Sequence, residues 1–322
     1  MDLKDKRIVV TGGAGFLGGE VCRRLRDRGV PQDHLFVPRR PEYDLTQEEA
    51  CVRLYRDAFG GEPVDVVLHL AAEVGGIGAN QANPGRYFYA NMAMALHLIE
   101  QFRLQGLAQR GSKFVQVGTI CAYPKHTPVP FEEKDLWNGY PEETNAPYGV
   151  AKRAAWQMLE AYRLQYNMRS AYVLPVNLYG PNDDFDLETS HVIPALIRKC
   201  VHAQRSGETF IQCWGTGKAS REFLYVTDAA EGILRATEVV DEPTPINLGT
   251  GAEITIRNLV EQIAELSGFE GEIRWDPSRP DGQPRRCLDV TRARRLLDWE
   301  AEVELRDGLA RTIEWWRAHS SD

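Results

Sequence analysis

At 322 residues the chain is long enough for one large α/β domain, or a large one with a smaller partner, around a substantial core. A composition of 43% hydrophobic and 26% charged residues is that of a globular protein and excludes global disorder. The net charge of −8 argues against nucleic acid or an anionic membrane surface as a general partner, though a local basic pocket for a phosphorylated small molecule remains compatible with it.

In chain order, Ile8–Thr11, Leu35–Val37, Val64–Leu70, Phe114–Val117 and 171–176 read as strands. They are too continuously apolar for one-sided exposure, which predicts a parallel sheet covered on both faces. Leu17–Arg28, Thr46–Phe59, Tyr87–Gln105 and Tyr148–Tyr166 have helical periodicity between them. Strand–helix alternation of this kind predicts an α/β fold with a doubly wound, Rossmann-type sheet over residues 1–178. Beyond Leu178, proline and glycine become frequent. His191–Ala203 and Ile256–Leu266 read as helices, Phe210–Trp214 and Glu222–Tyr225 as strands, and Arg279-Pro-Asp-Gly282 as a turn. Residues 179–322 are expected to form mainly a smaller α/β substrate lobe, with some segments returning to the main sheet.

No stretch approaches the roughly 18 apolar residues of a membrane span. The charged start, Met1-Asp-Leu-Lys-Asp-Lys6, is unlike a secretory signal, so a soluble, cytoplasmic protein is expected. The six cysteines, at 22, 51, 121, 200, 213 and 287, show no zinc spacing, and no metal is expected.

Thr11-Gly-Gly-Ala-Gly-Phe-Leu-Gly18 follows the first strand and opens the first helix. Gly12 suits the tight turn, Gly15 a close approach of backbone to a pyrophosphate, and Gly18 close helix–sheet packing. The free amides at the helix start, including those of Phe16 and Leu17, suit phosphate. The second strand ends at Arg39 and Arg40, with no acidic residue there to take a ribose 2′-hydroxyl. Two arginines favour a 2′-phosphate, hence NADPH, with NADH still possible.

Asn145-Ala-Pro-Tyr-Gly-Val-Ala-Lys152 opens a helix, with Pro147 in its first turn and Asn145 as its cap. Tyr148 and Lys152, one turn apart, share a face. A lysine beside the phenol is expected to lower its pKa and fit it for proton exchange with a carbonyl or hydroxyl.

The spacing of the glycines, G-x-x-G-x-x-G, resembles that of the extended short-chain dehydrogenases. That resemblance implies a hydroxyl at the end of the preceding strand, met here by Thr119. It also implies cofactor contacts at Asp44, Leu45, Leu70, Ala71 and Ala72. More specific segments are Glu73-Val-Gly-Gly-Ile-Gly-Ala-Asn80, Thr144-Asn-Ala-Pro-Tyr148, Asn177-Leu-Tyr-Gly-Pro181, Ser190-His-Val-Ile-Pro-Ala195, Trp214-Gly-Thr-Gly217 and Arg221-Glu-Phe-Leu224. Together they resemble the GDP-L-fucose synthase family across nearly the whole chain.

The resemblance implies C3 and C5 epimerisation of GDP-4-keto-6-deoxy-D-mannose, followed by NADPH reduction at C4. Cys121 and His191 would serve as base and acid, Tyr148 as proton donor to the C4 oxygen, and Lys152 as its helper on the nicotinamide ribose. His191 would also meet the cofactor. Asn177, Val192, Lys199, Trp214, Arg221 and Arg286 would line the nucleotide-sugar site, and the protein would be a homodimer through Tyr87–Gln105 and Tyr148–Tyr166. Lys199 stands where the family usually has arginine, and the glycine loop lacks the basic residue some members carry, so the NADPH reading rests on Arg39 and Arg40. The alternatives are a related GDP-sugar 4-ketoreductase, an enzyme making one epimerisation, an epimerase that retains NAD, or a cofactor-sensing binding protein.

Overall fold

Ile8–Thr11 buries four consecutive residues, as a strand with both faces covered must, and it forms β1 at the heart of the main sheet. The structure, a computed structural model, describes residues 1–279 and 281–320, the side chain of Ile77 apart. Pro280, in the turn expected over 279–282, lies outside the described residues. After β1 come α1 (Phe16–Asp27), β2 (Leu35–Phe36), α2 (Glu48–Asp57), β3 (Val66–His69), α3 (Ile77–Ala82), α4 (Pro84–Leu104), β4 (Lys113–Val117), α5 (Ala146–Tyr166) and β5 (Arg169–Pro175). The chain continues through β6 (Asn177–Tyr179), α6 (Val192–Ser206), β7 (Phe210–Trp214), β8 (Ser220–Tyr225), α7 (Val226–Val239), β9 (Pro245–Leu248) and β10 (Glu253–Thr255). It ends with α8 (Ile256–Leu266), β11 (Glu272–Asp276), β12 (Arg285–Arg286), α9 (Thr291–Leu297) and α10 (Leu305–His319).

Six strands form one sheet in the order β2-β1-β3-β4-β5-β9, every neighbouring pair parallel. β2 lies on one side of β1 and β3 on the other, so the winding reverses between β1 and β3. In open α/β sheets, ligands bind outside the carboxyl ends of the strands at such a reversal. The glycine loop and the Leu70-Ala-Ala72 segment both leave the sheet there.

The sheet's far edge comes from the second half of the chain. β9 pairs with β5, and α7 lies against α1, where Arg24 Nη1 meets Glu231 Oε2 at 2.7 Å and Arg28 Nη1 meets Glu238 Oε1 at 2.9 Å. Smaller sheets form from β6, β8, β10 and β12, and from β7 with β11. α6, α8 and α10 cover them with a second apolar cluster that includes Ile193, Ile197, Ile211, Leu259, Ile263, Leu309 and Ile313. No helix among the described residues is long and apolar enough to cross a membrane.

Candidate active site

The glycine loop after β1 is built from close backbone contacts. Gly12 sits at φ 73°, and a Cβ there would lie 2.8 Å from the Ala71 nitrogen. A Cβ on Gly18 would lie 2.1 Å from the Gly12 oxygen. Gly15 is the N-cap of α1 and no side chain caps that end, so the first-turn amides of Phe16 and Leu17 remain available to a phosphate. Thr11 Oγ1 lies 2.7 Å from His69 Nδ1 and accepts from the Ala71 amide at 3.4 Å, tying the two strand ends together. These features fit a dinucleotide pyrophosphate, which Gly12, Gly15 and the start of α1 would hold against Leu70, Ala71 and Ala72.

Arg39 and Arg40 follow β2 and are exposed. Arg40 is engaged by Glu73, whereas the Arg39 guanidinium has no partner among the described residues. Asp44 Oδ1 accepts from Thr46 N at 3.1 Å and Thr46 Oγ1 at 2.8 Å, and the hydroxyl bond holds its carboxyl below the ordinary range. Leu45 is buried in the main core, which leaves only its backbone for a cofactor.

β4 carries the chain to Thr119, whose Oγ1 accepts from the Cys121 amide at 3.2 Å and so closes the short turn that presents the thiol. α5 begins directly over this turn, because Gly149 has no side chain: a Cβ there would sit 2.3 Å from the Cys121 oxygen. Tyr148, Thr119 and Cys121 therefore interact as a group. The Tyr148 phenol is buried. Burial pushes its pKa well above the ordinary value, the Cys121 side chain adds to this, and the hydrogen bond with Thr119 partly offsets it. Acidification of Tyr148 by Lys152, expected from their spacing, is not what the structure has. Lys152 Nζ donates to the Val117 carbonyl at 3.1 Å and lies 5.7 Å from the Tyr148 ring centre, and its own burial lowers it to about 8. The phenol thus keeps its proton, which suits a donor.

Asn145 is the N-cap of α5 by position, but its side chain makes no capping bond, contrary to the sequence reading. Its Nδ2 donates to Glu142 Oε2 at 2.9 Å, and its Oδ1 accepts from Asn80 Nδ2 at 2.8 Å. α3 is thereby locked to the start of the helix that carries Tyr148. The other side of α3 meets the loop before His191: the Gly76 amide donates to the Thr189 oxygen at 3.0 Å, and a Cβ on Gly76 would lie 2.7 Å from the Ser190 oxygen. His191 caps α6 with backbone only. The residue is exposed at the start of that helix. Desolvation lowers its pKa, and Asp184 partly restores it.

Arg221 and Arg286 are neighbours in the β8–β12 register. Arg221 donates to the backbone oxygens of Ser220 and Asp281. Burial, with the charge of Arg286 second, lowers its pKa to about 10. Among the described residues neither guanidinium has a carboxylate within ion-pair distance, so the pair is poised for an anion. Arg286 also contacts Cys121, an adjacency that spacing along the chain could not reveal. Trp214 is half exposed, with Arg279 stacked 4.9 Å from its ring centre, and it lies beside Gly78 of α3. Lys199 spends its ammonium on the Gln212 oxygen at 2.9 Å, and Asn177 Nδ2 donates to the Glu222 oxygen at 2.8 Å. Val192 opens α6 next to His191.

A phosphate-binding helix start at the reversal of a parallel sheet, with a buried tyrosine, lysine and hydroxyl at the neighbouring strand end, defines an NAD(P)-dependent oxidoreductase and epimerase. Residues 8–249 match the NAD dependent epimerase/dehydratase family. The chain is 36% identical to GDP-L-fucose synthase 1 of Arabidopsis thaliana, over 98% of this chain and 94% of that protein. It is 36% identical to GDP-L-fucose synthase of Escherichia coli (strain K12), over 98% and 97%. Among solved structures it resembles a GDP-6-OMe-4-keto-L-xylo-heptose reductase from C. jejuni, with a TM-score of 0.90 and 26% identity over 99% of each chain. It also resembles an NADP-bound GDP-L-fucose synthetase from Naegleria fowleri, with a TM-score of 0.84 and 25% identity over 98% of this chain and 95% of that one. The chain belongs to the NAD dependent epimerase/dehydratase family and, within it, to the GDP-L-fucose synthases.

Proposed function

We propose that this chain converts GDP-4-keto-6-deoxy-D-mannose to GDP-L-fucose with NADPH, by epimerisation at C3 and C5 and reduction at C4. The observation that carries the reading is the grouping of Cys121, Thr119 and Tyr148 beneath the start of α5, beside the two guanidiniums of Arg221 and Arg286. Arg221 and Arg286 take the diphosphate, Trp214 packs on the nucleoside, and Asn177, Val192 and Lys199 complete the substrate wall.

The C4 ketone acidifies the hydrogens on C3 and C5. Cys121 takes a proton from carbon, Thr119 and Tyr148 hold the charge that gathers on the C4 oxygen, and His191 returns a proton from the opposite face. After both inversions, Tyr148 donates its phenolic proton to the C4 oxygen, with Lys152 supporting the charge left behind. When bound, the reduced nicotinamide supplies the hydride to C4. Arg39, beside an Arg40 already engaged by Glu73, favours its 2′-phosphorylated form.

The protein acts in the cytoplasm as a homodimer joined through α4 and α5. These helices leave Leu104 53% and Leu164 88% exposed, apolar surface that a partner copy would cover.

A second reading, reduction without epimerisation, is favoured by the likeness to the heptose reductase. Turnover of GDP-4-keto-6-deoxymannose with NADPH in deuterated water separates the two. Deuterium at C3 and C5 with one NADPH oxidised per product supports the full reaction. Reduction without deuterium overturns the roles of Cys121 and His191, and inversion without NADPH loss identifies an epimerase that retains its cofactor.

A further inference from the structure

A thiol removes a proton from carbon only as the thiolate, so whatever favours that form belongs to the machinery of the step. Cys121 Sγ accepts a hydrogen bond from Arg286 Nη1 at 3.6 Å. The guanidinium is buried, and its Nε is fixed by Gln283 Oε1 at 2.8 Å. Gln283, also buried, donates its own Nε2 to the Lys125 oxygen at 2.7 Å, on the loop that continues from Cys121. The arginine is thus held at its base by the β8–β12 register, at its middle by Gln283 and at its tip by sulfur. The titratable and charged groups facing the thiol are Arg286 from β12, Arg221 from β8 and Tyr148 from α5.

We propose that Gln283 and Arg286 form a positioning pair that aims a fixed positive charge at the Cys121 sulfur and holds it in the proton-accepting state, a role separate from any contact Arg286 makes with substrate phosphate. The inference rests on the reading of Cys121 as the epimerisation base. A guanidinium suits the task because its planar fork bonds Gln283 through Nε while a terminal nitrogen reaches sulfur. An ammonium in its place keeps the charge but loses the aim.

The test needs no substrate. Full-length protein is treated with iodoacetamide from pH 5 to 9, and alkylation of the Cys121 peptide is followed by mass spectrometry, with Cys121→Ser to define reaction at the other cysteines, all of them buried. Arg286→Met is expected to slow alkylation at pH 7 about tenfold and move the rate profile to higher pH, with Arg286→Lys, which keeps the charge without the aim, recovering only part of the rate. Gln283→Met, which keeps the arginine but frees it, is expected to slow it about threefold. NADPH affinity, in which neither Gln283 nor Arg286 is given a part, is expected to be unchanged and reports that each variant is folded. Profiles of Arg286→Met and Gln283→Met that superimpose on the parent overturn the proposal. That result would leave the deuterium experiment untouched, just as absent epimerisation would leave the alkylation result untouched.

Discussion

Arg40 Nη2 lies 2.8 Å from Glu73 Oε1, and Arg86 Nε lies 2.7 Å from the other oxygen of the same carboxylate. Arg40 must therefore leave an anion in order to reach one, while Arg39 beside it has no such commitment. We expect Arg39→Ala to weaken NADPH binding about 10–100-fold with little effect on NADH, the loss of one charge-assisted contact. Arg40→Ala is expected to change either affinity less than about threefold. Fluorescence titration with both cofactors checks this, and equal losses from the two variants would contradict it.

In the proposed reaction the proton for the C4 oxygen comes from a phenol whose burial keeps it protonated through the working range, so the high-pH limb of the reduction should belong to Lys152. The amine is charged below about 8 and neutral above it. Hydride transfer is expected to be flat up to neutrality and to fall as pH rises through about 8. Tyr148→Phe is expected to lower the same rate about 10²–10⁴-fold with NADPH affinity preserved. Single-turnover absorbance of NADPH across pH 6–9.5 measures both, and a rate that stays constant to pH 9.5 would remove Lys152 from the step.

His191 acts in the same direction but over a lower pH range than Lys152. Desolvation places its imidazole below the ordinary value near 6.5, so the protonated form that returns a proton to carbon becomes scarcer as the solution turns alkaline. Inversion, followed by product stereochemistry in deuterated buffer, is expected to go on speeding up from pH 7 toward 6, where Lys152 is already charged and hydride transfer is flat. His191→Asn is expected to abolish the trend and leave washed-in deuterium without inversion at one or both carbons. An inversion rate independent of pH over that interval would take the proton-returning role from His191.

Much of this was legible in the chain because it depends on local pattern. β1, β3 and β4 are short, mainly apolar runs buried along their whole length, and the glycines at 12, 15 and 18 sit where a turn and a close helix require them. α7 and β9 were not legible. The helix follows β8 without a turn residue between them, and the strand is a four-residue segment that opens on proline, yet together they finish the main sheet. The Arg286–Cys121 contact was hidden for a different reason. It joins residues far apart in sequence through the pairing of β12 with β8, a register no short window of sequence contains. The acidification of Tyr148 by Lys152 failed because helical spacing sets which side chains share a face, while burial decides which charge state survives there.

The same distinction governs two glycines that look alike in sequence. Gly149 lies in the first turn of α5, and a Cβ there would come within 2.3 Å of the Cys121 oxygen and 2.9 Å of its carbonyl carbon. Both atoms are backbone and cannot swing aside, so alanine must push α5 off the turn that holds the thiol. We expect Gly149→Ala to destabilise the protein by about 1–3 kcal/mol, the usual range for overpacking, and to depress epimerisation and reduction together, because Tyr148 moves away from Cys121 and Thr119. Gly19, in α1, meets nothing within 4 Å and is exposed, so Gly19→Ala is expected to gain about 0.5–1 kcal/mol by helix propensity alone. Urea unfolding of the two variants beside the parent decides the matter: a Gly149→Ala protein as stable and active as the parent would mean that the close seating of α5 on the Cys121 turn is not what assembles the site.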